Sequence, residues 1–388
     1  MLQNESLLNG NPLATYAAMR DLEPQYLSGV FAGVYPEVCA AFEEFLGFPL
    51  AGVRAMSLPS LRVGSYPAEE EPIPEGFVPE EALDVIARES SHTRLVMWGE
   101  EHHLPQTRSL YEPLLRLLWA QGYRYLAAET FDPSVMDSLF QYPDYRSGFY
   151  LRDPVFASAV RTARELGYTL IAYDTRERGP ADDPSFRDRT QAQNIKARTF
   201  DADPTAKVLV IAGRGHVAEE AVSDGWTPMA SVLKRLTGID PLTLYASTMS
   251  ERQTSPEEHP MYRYATSRDL LDGPTIFVRP ADTALLGGSS FDAYVFWPRT
   301  TLIGGRPDWL LSEMGRHSVA IPPALRAGGL ALIQAFRLGD PPNAIPVDQI
   351  AIEPPDAVPT LMLPVGDFWL RCIDRHNNVR LGDTVRVR

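Results

Sequence analysis

The feature that most constrains this chain is a rhythm running from about residue 95 to residue 245. Short apolar runs, at residues 95–98, 125–128, 168–173, 207–212 and 242–245, alternate with segments of helical spacing at 108–121, 155–166, 186–200 and 232–236. Brief, near-continuous apolar runs suit strands covered on both faces. Helices between consecutive strands imply crossover connections and therefore parallel pairing. The pattern predicts an α/β fold, a mostly parallel sheet with helices on both faces. Two later apolar runs, at 276–278 and 293–296, are expected to extend the same sheet.

The flanks differ in character. Residues 12–22 and 37–46 carry apolar positions at helical spacing, and Gly47 is a natural stop. A Pro- and Glu-rich stretch from Pro59 to Pro79 reads as an extended linker or an arm laid over the surface. After Gly315 the chain turns to short alternating runs, and His376-Asn-Asn378 sits between two of them like a hairpin turn. The organisation expected is a helical N-terminal segment with linker (1–80), an α/β domain (81–314) and a small C-terminal antiparallel β-domain (315–388).

Composition narrows the partners. With 36 basic and 50 acidic residues the formal charge is −14, which repels nucleic acid and anionic membrane at range. No apolar stretch approaches the roughly 18 residues of a transmembrane helix. Two distant cysteines, Cys39 and Cys372, offer neither a CxxC metal site nor a disulfide framework. The N-terminus lacks the basic and apolar regions of a signal peptide, so the expected location is cytoplasmic, or periplasmic or secreted had a leader been removed. A small-molecule substrate or ligand is the expected partner.

The chemistry lies just beyond the end of each run. Gly99-Glu-Glu-His-His103 comes after the first, Glu129 after the second, Asp174 after the third and Gly213-Arg-Gly-His216 after the fourth. In an open parallel sheet, ligands bind outside the carboxyl ends of the strands, so acids and imidazoles from four strands converge on one rim. Charged groups set against an apolar sheet are costly unless they pair or serve a purpose. Glu100 and His103, three apart, are expected to face the rim together, with Glu101 and His102 turned away and Gly99 freeing the backbone. A carboxylate beside an imidazole fixes its tautomer and raises its basicity. The plainer readings are a histidine pair capping the next helix, Glu129 at the helix start of Asp132-Pro133, and His216 bonded to loop backbone.

On the segment 186–200, Arg187, Gln191 and Asn194 share a helix face. A guanidinium there can pin a rim carboxylate or an anionic transition state, or simply lie on a solvated surface. Asp174 reads as a structural acid or an orienter of a histidine. Neither a GxGxxG nor a Walker pattern accompanies the Gly-Arg-Gly, and no Gly-x-Ser-x-Gly elbow occurs, which argues against a nucleotide site and a serine-hydrolase triad.

This ordered set resembles the erythromycin esterase, ChaN-like and Tiki/TraB superfamily. The shared elements are Gly99-Glu100-x-His102-His103, Glu129, the Arg187-Asp188-x-x-Gln191-Ala192-x-Asn194-Ile195 helix and Gly213-x-Gly215-His216, and they span about residues 90–250. The resemblance implies roles for Glu100, His102 or His103, Glu129, Arg187 and His216. Esterase-type sites use the histidine three after the glutamate, here His103. ChaN-like and Tiki-type sites use the one two after it, here His102. Gln191 stands where methionine is usual.

Three activities are expected on this basis. The first is hydrolysis of an ester, lactone or amide by water activated by Glu100 and His103. Glu129 would orient it or share the proton, with His216 and Arg187 at the oxyanion. The second is hydrolysis assisted by a divalent metal (Mn, Co or Zn) on Glu100, His102 or His103 and His216. The third, by analogy with the ChaN-like branch, is haem or small-ligand binding without catalysis.

Overall fold

All five apolar runs become strands of one parallel sheet. They are β1 (Leu95–Glu100), β2 (Tyr125–Ala128), β3 (Thr169–Ala172), β4 (Val208–Gly213) and β5 (Leu242–Tyr245), and a short sixth strand, β6 (Ala293–Tyr294), closes the edge. The spatial order is β3-β2-β4-β1-β5-β6, every pair parallel. The four strands that carry acids and histidines at their ends are therefore contiguous in space, although the third and fourth interleave with the first two. The structure is a computed structural model and describes residues 5–61, 64–137, 140–220, 225–326, 328–353 and 358–388. Residues 1–4, at the N-terminus, and 62–63, within the Pro- and Glu-rich stretch, lie outside the described residues.

The period-two alternation of the strands divides the core into two layers. Val96, Trp98, Leu126, Ala128, Leu209 and Leu244 point to one face. There they meet α2 (Tyr35–Phe45), α3 (Ala82–Glu89), α4 (Tyr111–Ala120) and α5 (Pro154–Leu166). Leu95, Met97, Ala127, Val208 and Val210 point to the other, covered by α6 (Phe186–Arg198) and α7 (Met229–Thr237). Helices thus lie on both faces, as the pattern predicts. Asp153 caps α5 by accepting from the Val155 N–H, and Gly167 ends it in the left-handed conformation at φ 97°.

One predicted strand falls elsewhere. Residues 276–278 lie in Thr275–Arg279, which pairs antiparallel with Val78–Glu81 and with Ala284–Leu285 in a separate three-stranded sheet. The edge beside β5 is taken by β6 instead, and Val78–Glu81 arrives at the end of the extended arm with its backbone free to pair. The arm itself lies on the surface: Tyr66 N–H donates to the Pro256 carbonyl, and Arg263 donates to the Glu69 carbonyl.

After Gly315 the chain forms antiparallel sheets. The largest is β8-β7-β9-β10, built from β7 (Ala331–Arg337), β8 (Asp348–Ile352), β9 (Gly366–Asp374) and β10 (Val379–Val387). The turn between β9 and β10 has Asn377 at φ 65°, a conformation asparagine tolerates well, at the predicted hairpin. The N-terminal helices pack against the sheets that follow. Phe42 and Phe45 of α2 enter the core beneath the sheet, while Leu13 of α1 (Pro12–Asp21) and Leu46 pack with Leu332, Ala351 and Ile373. Cys39 and Cys372 are both free and buried. Among the described residues no helix is long and apolar enough to cross a membrane.

Candidate active site at the strand ends

Strand register sets the geometry. Glu100, last in β1, lies beside Gly213, last in β4, and Ala128 pairs with Ile211, so Glu129 emerges next to the same Gly213. The Gly213 N–H donates to Glu129 Oε2 at 2.7 Å. Glu100 takes the face of Trp98 by alternation, where α4 and the turn before it wait. Arg108 donates to Glu100 Oε2 at 3.0 Å and to Asp153 at 2.8 Å, and the Tyr111 hydroxyl donates to Glu100 Oε2 at 2.5 Å. All four side chains are buried. Burial opposes ionisation of Glu100, but the Arg108 charge and the hydrogen bond from His102 outweigh it and hold the carboxyl at about 2.

His102, not His103, is the histidine that joins Glu100. Its Nδ1 lies 2.8 Å from Glu100 Oε1, its ring stacks on Tyr150 at 4.3 Å, and its Nε2 stands 3.8 Å from Glu129 Oε2. That last gap is too long for a hydrogen bond. The Nδ1 pairing with an ionised acceptor assigns the proton to Nδ1 and leaves the Nε2 lone pair facing the cleft. The expectation that pairs His103 with Glu100 is corrected: His103 Nδ1 lies 3.0 Å from Glu44 on α2, and both are buried. The reason is the chain's path. It forms a turn closed by the Leu104 N–H on the Glu101 carbonyl, and the two adjacent histidines in that turn diverge. Glu101 does turn away, to Arg214 and Ser247.

Gly99 has a different task from the one expected. It is extended within β1, and a Cβ there would lie 2.6 Å from Val217 Cγ2, so glycine lets the turn Arg214–Val217 pack on the strand. That turn presents His216. Its Nδ1 lies 2.6 Å from Asp188 and its Nε2 3.5 Å from Glu129 Oε1. Asp188 is held in turn by the Trp226 indole N–H and by the Met229 N–H at the start of α7. Burial disfavours the His216 imidazolium, yet its bonds to Asp188 and Glu129 prevail and raise it to about 9.

Arg187 joins the third strand end to the second. It donates to both oxygens of Asp174, at 3.0 and 2.8 Å, and to Glu129 at 2.6 Å, with Nη1 3.3 Å from His216 Nε2. Gln191, on the same face of α6, donates to Asp174, and Asn194 donates to the Tyr173 carbonyl. The shared helix face is therefore turned to the rim, and Asp174 orients Arg187 rather than a histidine. Burial pushes Glu129 up, but the hydrogen bond and charge of His216 and the Arg187 guanidinium more than reverse it and keep the carboxylate well below its ordinary range.

Five of the six candidate residues thus meet: Glu100, His102, Glu129, Arg187 and His216. His103 stands behind them. Sequence reasoning missed Arg108, Tyr111 and Tyr150 and gave Asp188 no role, although Asp188 adjoins Arg187 in the same motif. Glu129, His102 and Arg187 open on a cleft of about 1220 Å³ that is also lined by Phe131, Phe149 and Tyr150. The arrangement supplies an oriented imidazole with a free nitrogen beside a cationic imidazole and guanidinium.

A divalent metal does not suit this donor set. Both Glu100 oxygens already accept from His102, Arg108 and Tyr111, and Arg187 stands against Glu129 and His216. Among the described residues no three His, Cys, Asp or Glu side chains form a metal-ligating cluster.

Gly213 is tightest against the chemistry. A Cβ there would lie 2.9 Å from His102 Nε2 and 3.4 Å from Glu129 Oε2, while its φ of −57° suits any residue. Gly213→Ala is expected to displace His102, and any reaction run by this site should slow by ~10²-fold, the scale of a 1 Å misplacement. Thermal melting of the same sample should change little, and a loss of fold instead would show the glycine to be structural.

Fold and site together define an α/β protein with a parallel sheet and a network of acids, imidazoles and a guanidinium at its carboxyl rim. No family model and no curated protein matches the chain. Two solved structures are similar over part of it. One, described as the structure of the type III effector HopBA1, is 16% identical with a TM-score of 0.34, over 48% of this chain and 96% of that one. Another, described as bacterial protein toxins, is 11% identical with a TM-score of 0.32, over 66% of this chain and 59% of that one. Likenesses at that level carry no assignment of function.

Proposed function

We propose that this chain is a hydrolase of the erythromycin-esterase, ChaN-like and Tiki/TraB kind, cleaving an ester, lactone or amide with water activated by His102. The observation that carries this reading is the open Nε2 of His102, oriented from behind by buried Glu100 and facing a cleft beside Glu129. His102 Nε2 takes a proton from water as the oxygen attacks the carbonyl carbon. The carbonyl π electrons move to oxygen, and the oxyanion is met by His216 and Arg187. Collapse expels the alkoxide or amine, which receives the proton from His102. Glu129 holds Arg187 and His216 in place through the first and last of these steps. No protein nucleophile is required.

A panel of aryl esters, lactones and anilides, assayed with purified protein in the presence of chelator, tests this. Turnover that disappears with His102→Ala supports the reading; no turnover on any member overturns it. The pH profile adds a signature. His216 keeps its proton up to about 9, so kcat/KM is expected to fall as pH rises through about 9. Asp188→Asn removes one of the charges that hold that proton, so it should move the alkaline limb to lower pH. A limb that stays in place in Asp188→Asn would remove His216 from the oxyanion role. The same sign governs stability: a histidine raised on folding contributes below its ordinary value near 6.5, and the contribution is lost as pH climbs through about 9.

A further inference from the structure

The cleft holds cationic groups that the hydrolytic steps leave unused. Arg152 lines it yet is only 4% exposed. Its Nε and Nη2 donate to the Tyr145 carbonyl at 3.3 and 3.2 Å, its guanidinium lies 5.1 Å from the Phe149 ring centre, and its Nη1 has no partner among the described residues. Arg198 lines the same cleft from the end of α6, where it donates to the Ala172 carbonyl. Among the described residues no carboxylate pairs with either. The remaining charges of the wall are balanced: Arg187 faces Glu129 and Asp174, Arg176 faces Asp132, and Arg146 faces Asp144. Glu177 is the remaining acid of the wall, and it is exposed.

A buried guanidinium without an acid is expensive, and in a chain of charge −14 acids are not scarce. The cost is recovered when an anion arrives with the ligand. From these observations we propose that the substrate carries an anionic group, a carboxylate or a phosphate, which seats against Arg152 and Arg198 while the scissile carbonyl lies at His102. This rests on the hydrolytic reading of the site and names its substrate class.

Two measurements separate the inference from the reading beneath it. The first compares matched aryl esters, one with a neutral acyl chain and one ending in a carboxylate. The ratio of their kcat/KM values should favour the anionic ester, and Arg152→Leu should lower that ratio by about 10–100-fold, the worth of one charge-assisted hydrogen bond. Arg198→Ala, on an exposed side chain, should lower it in the same direction and covers the case in which Arg152→Leu fails to fold. The second is calorimetric titration of the wild-type protein with inorganic phosphate, which needs no turnover. Ester cleavage with a ratio near one, unmoved by Arg198→Ala, and without phosphate binding overturns the anionic substrate and leaves the hydrolase standing. Phosphate binding that Arg198→Ala weakens, with no ester cleaved, supports the anion site and sinks the hydrolase.

Discussion

Replacing His102 by alanine is expected to lower ester turnover by ~10²- to 10⁴-fold, the usual loss for a general base, with a smaller change in the unfolding midpoint than His103→Ala because Arg108 and Tyr111 still hold Glu100. Replacing His103, one residue away, should cost stability more than turnover. The two side chains face different surroundings. His102 is partly exposed at the cleft, stacked on Tyr150 with one nitrogen on Glu100 and the other open. His103 is buried and bonded to Glu44, whose second oxygen already has no hydrogen-bond partner among the described residues. Removing His103 strands a buried acid, at a cost of ~1–3 kcal/mol for the lost partner. Glu44, already pushed up by burial, would then hold its proton more firmly. Steady-state kinetics and thermal melting on both variants separate the roles. If His103→Ala abolishes turnover in a well-folded protein while His102→Ala keeps it, the assignment of the base is reversed.

That distinction marks where sequence stops being informative. The parallel sheet is legible because β1 to β5 are short apolar runs bounded by helical segments, and their ends carry acids and imidazoles that an apolar sheet tolerates only at a rim. Glu100, Glu129, Arg187 and His216 emerge from that argument. The choice between His102 and His103 does not, because it depends on the turn after β1 and on Glu44 of α2, a partner for His103 from far upstream. Arg108 and Tyr111 are hidden for a related reason. Arg108 ends the turn before an apolar helix and Tyr111 begins that helix, and only packing against β1 shows that they hold Glu100. The placement of residues 276–278 depends on which strand occupies the sheet edge, and apolar character alone does not encode a partner.

The buried triad of Glu100, Arg108 and Asp153 beneath the site gives the second large effect. Arg108→Met is expected to destabilise the protein by ~3–5 kcal/mol at pH 7, because it leaves Glu100 and Asp153 as buried acids without their common cation. The loss should depend on pH in a stated direction. Glu100 is held at about 2 in the folded protein against an ordinary value near 4.5, so its contribution is present above 4.5 and disappears as pH falls through about 2. Without Arg108, burial dominates and both carboxyls rise. Their protonation then relieves the variant as pH falls, and the gap from wild type should narrow between pH 7 and 4. Denaturant unfolding at several pH values measures it. Activity should fall too, since a protonated Glu100 is able to donate to His102 Nδ1 as well as accept from it, and the imidazole loses its assigned tautomer. A penalty that stays constant across that range would mean that Arg108 stabilises by packing against Tyr150 and Phe156, whose rings lie 5.6 and 5.5 Å away, and not by holding charge.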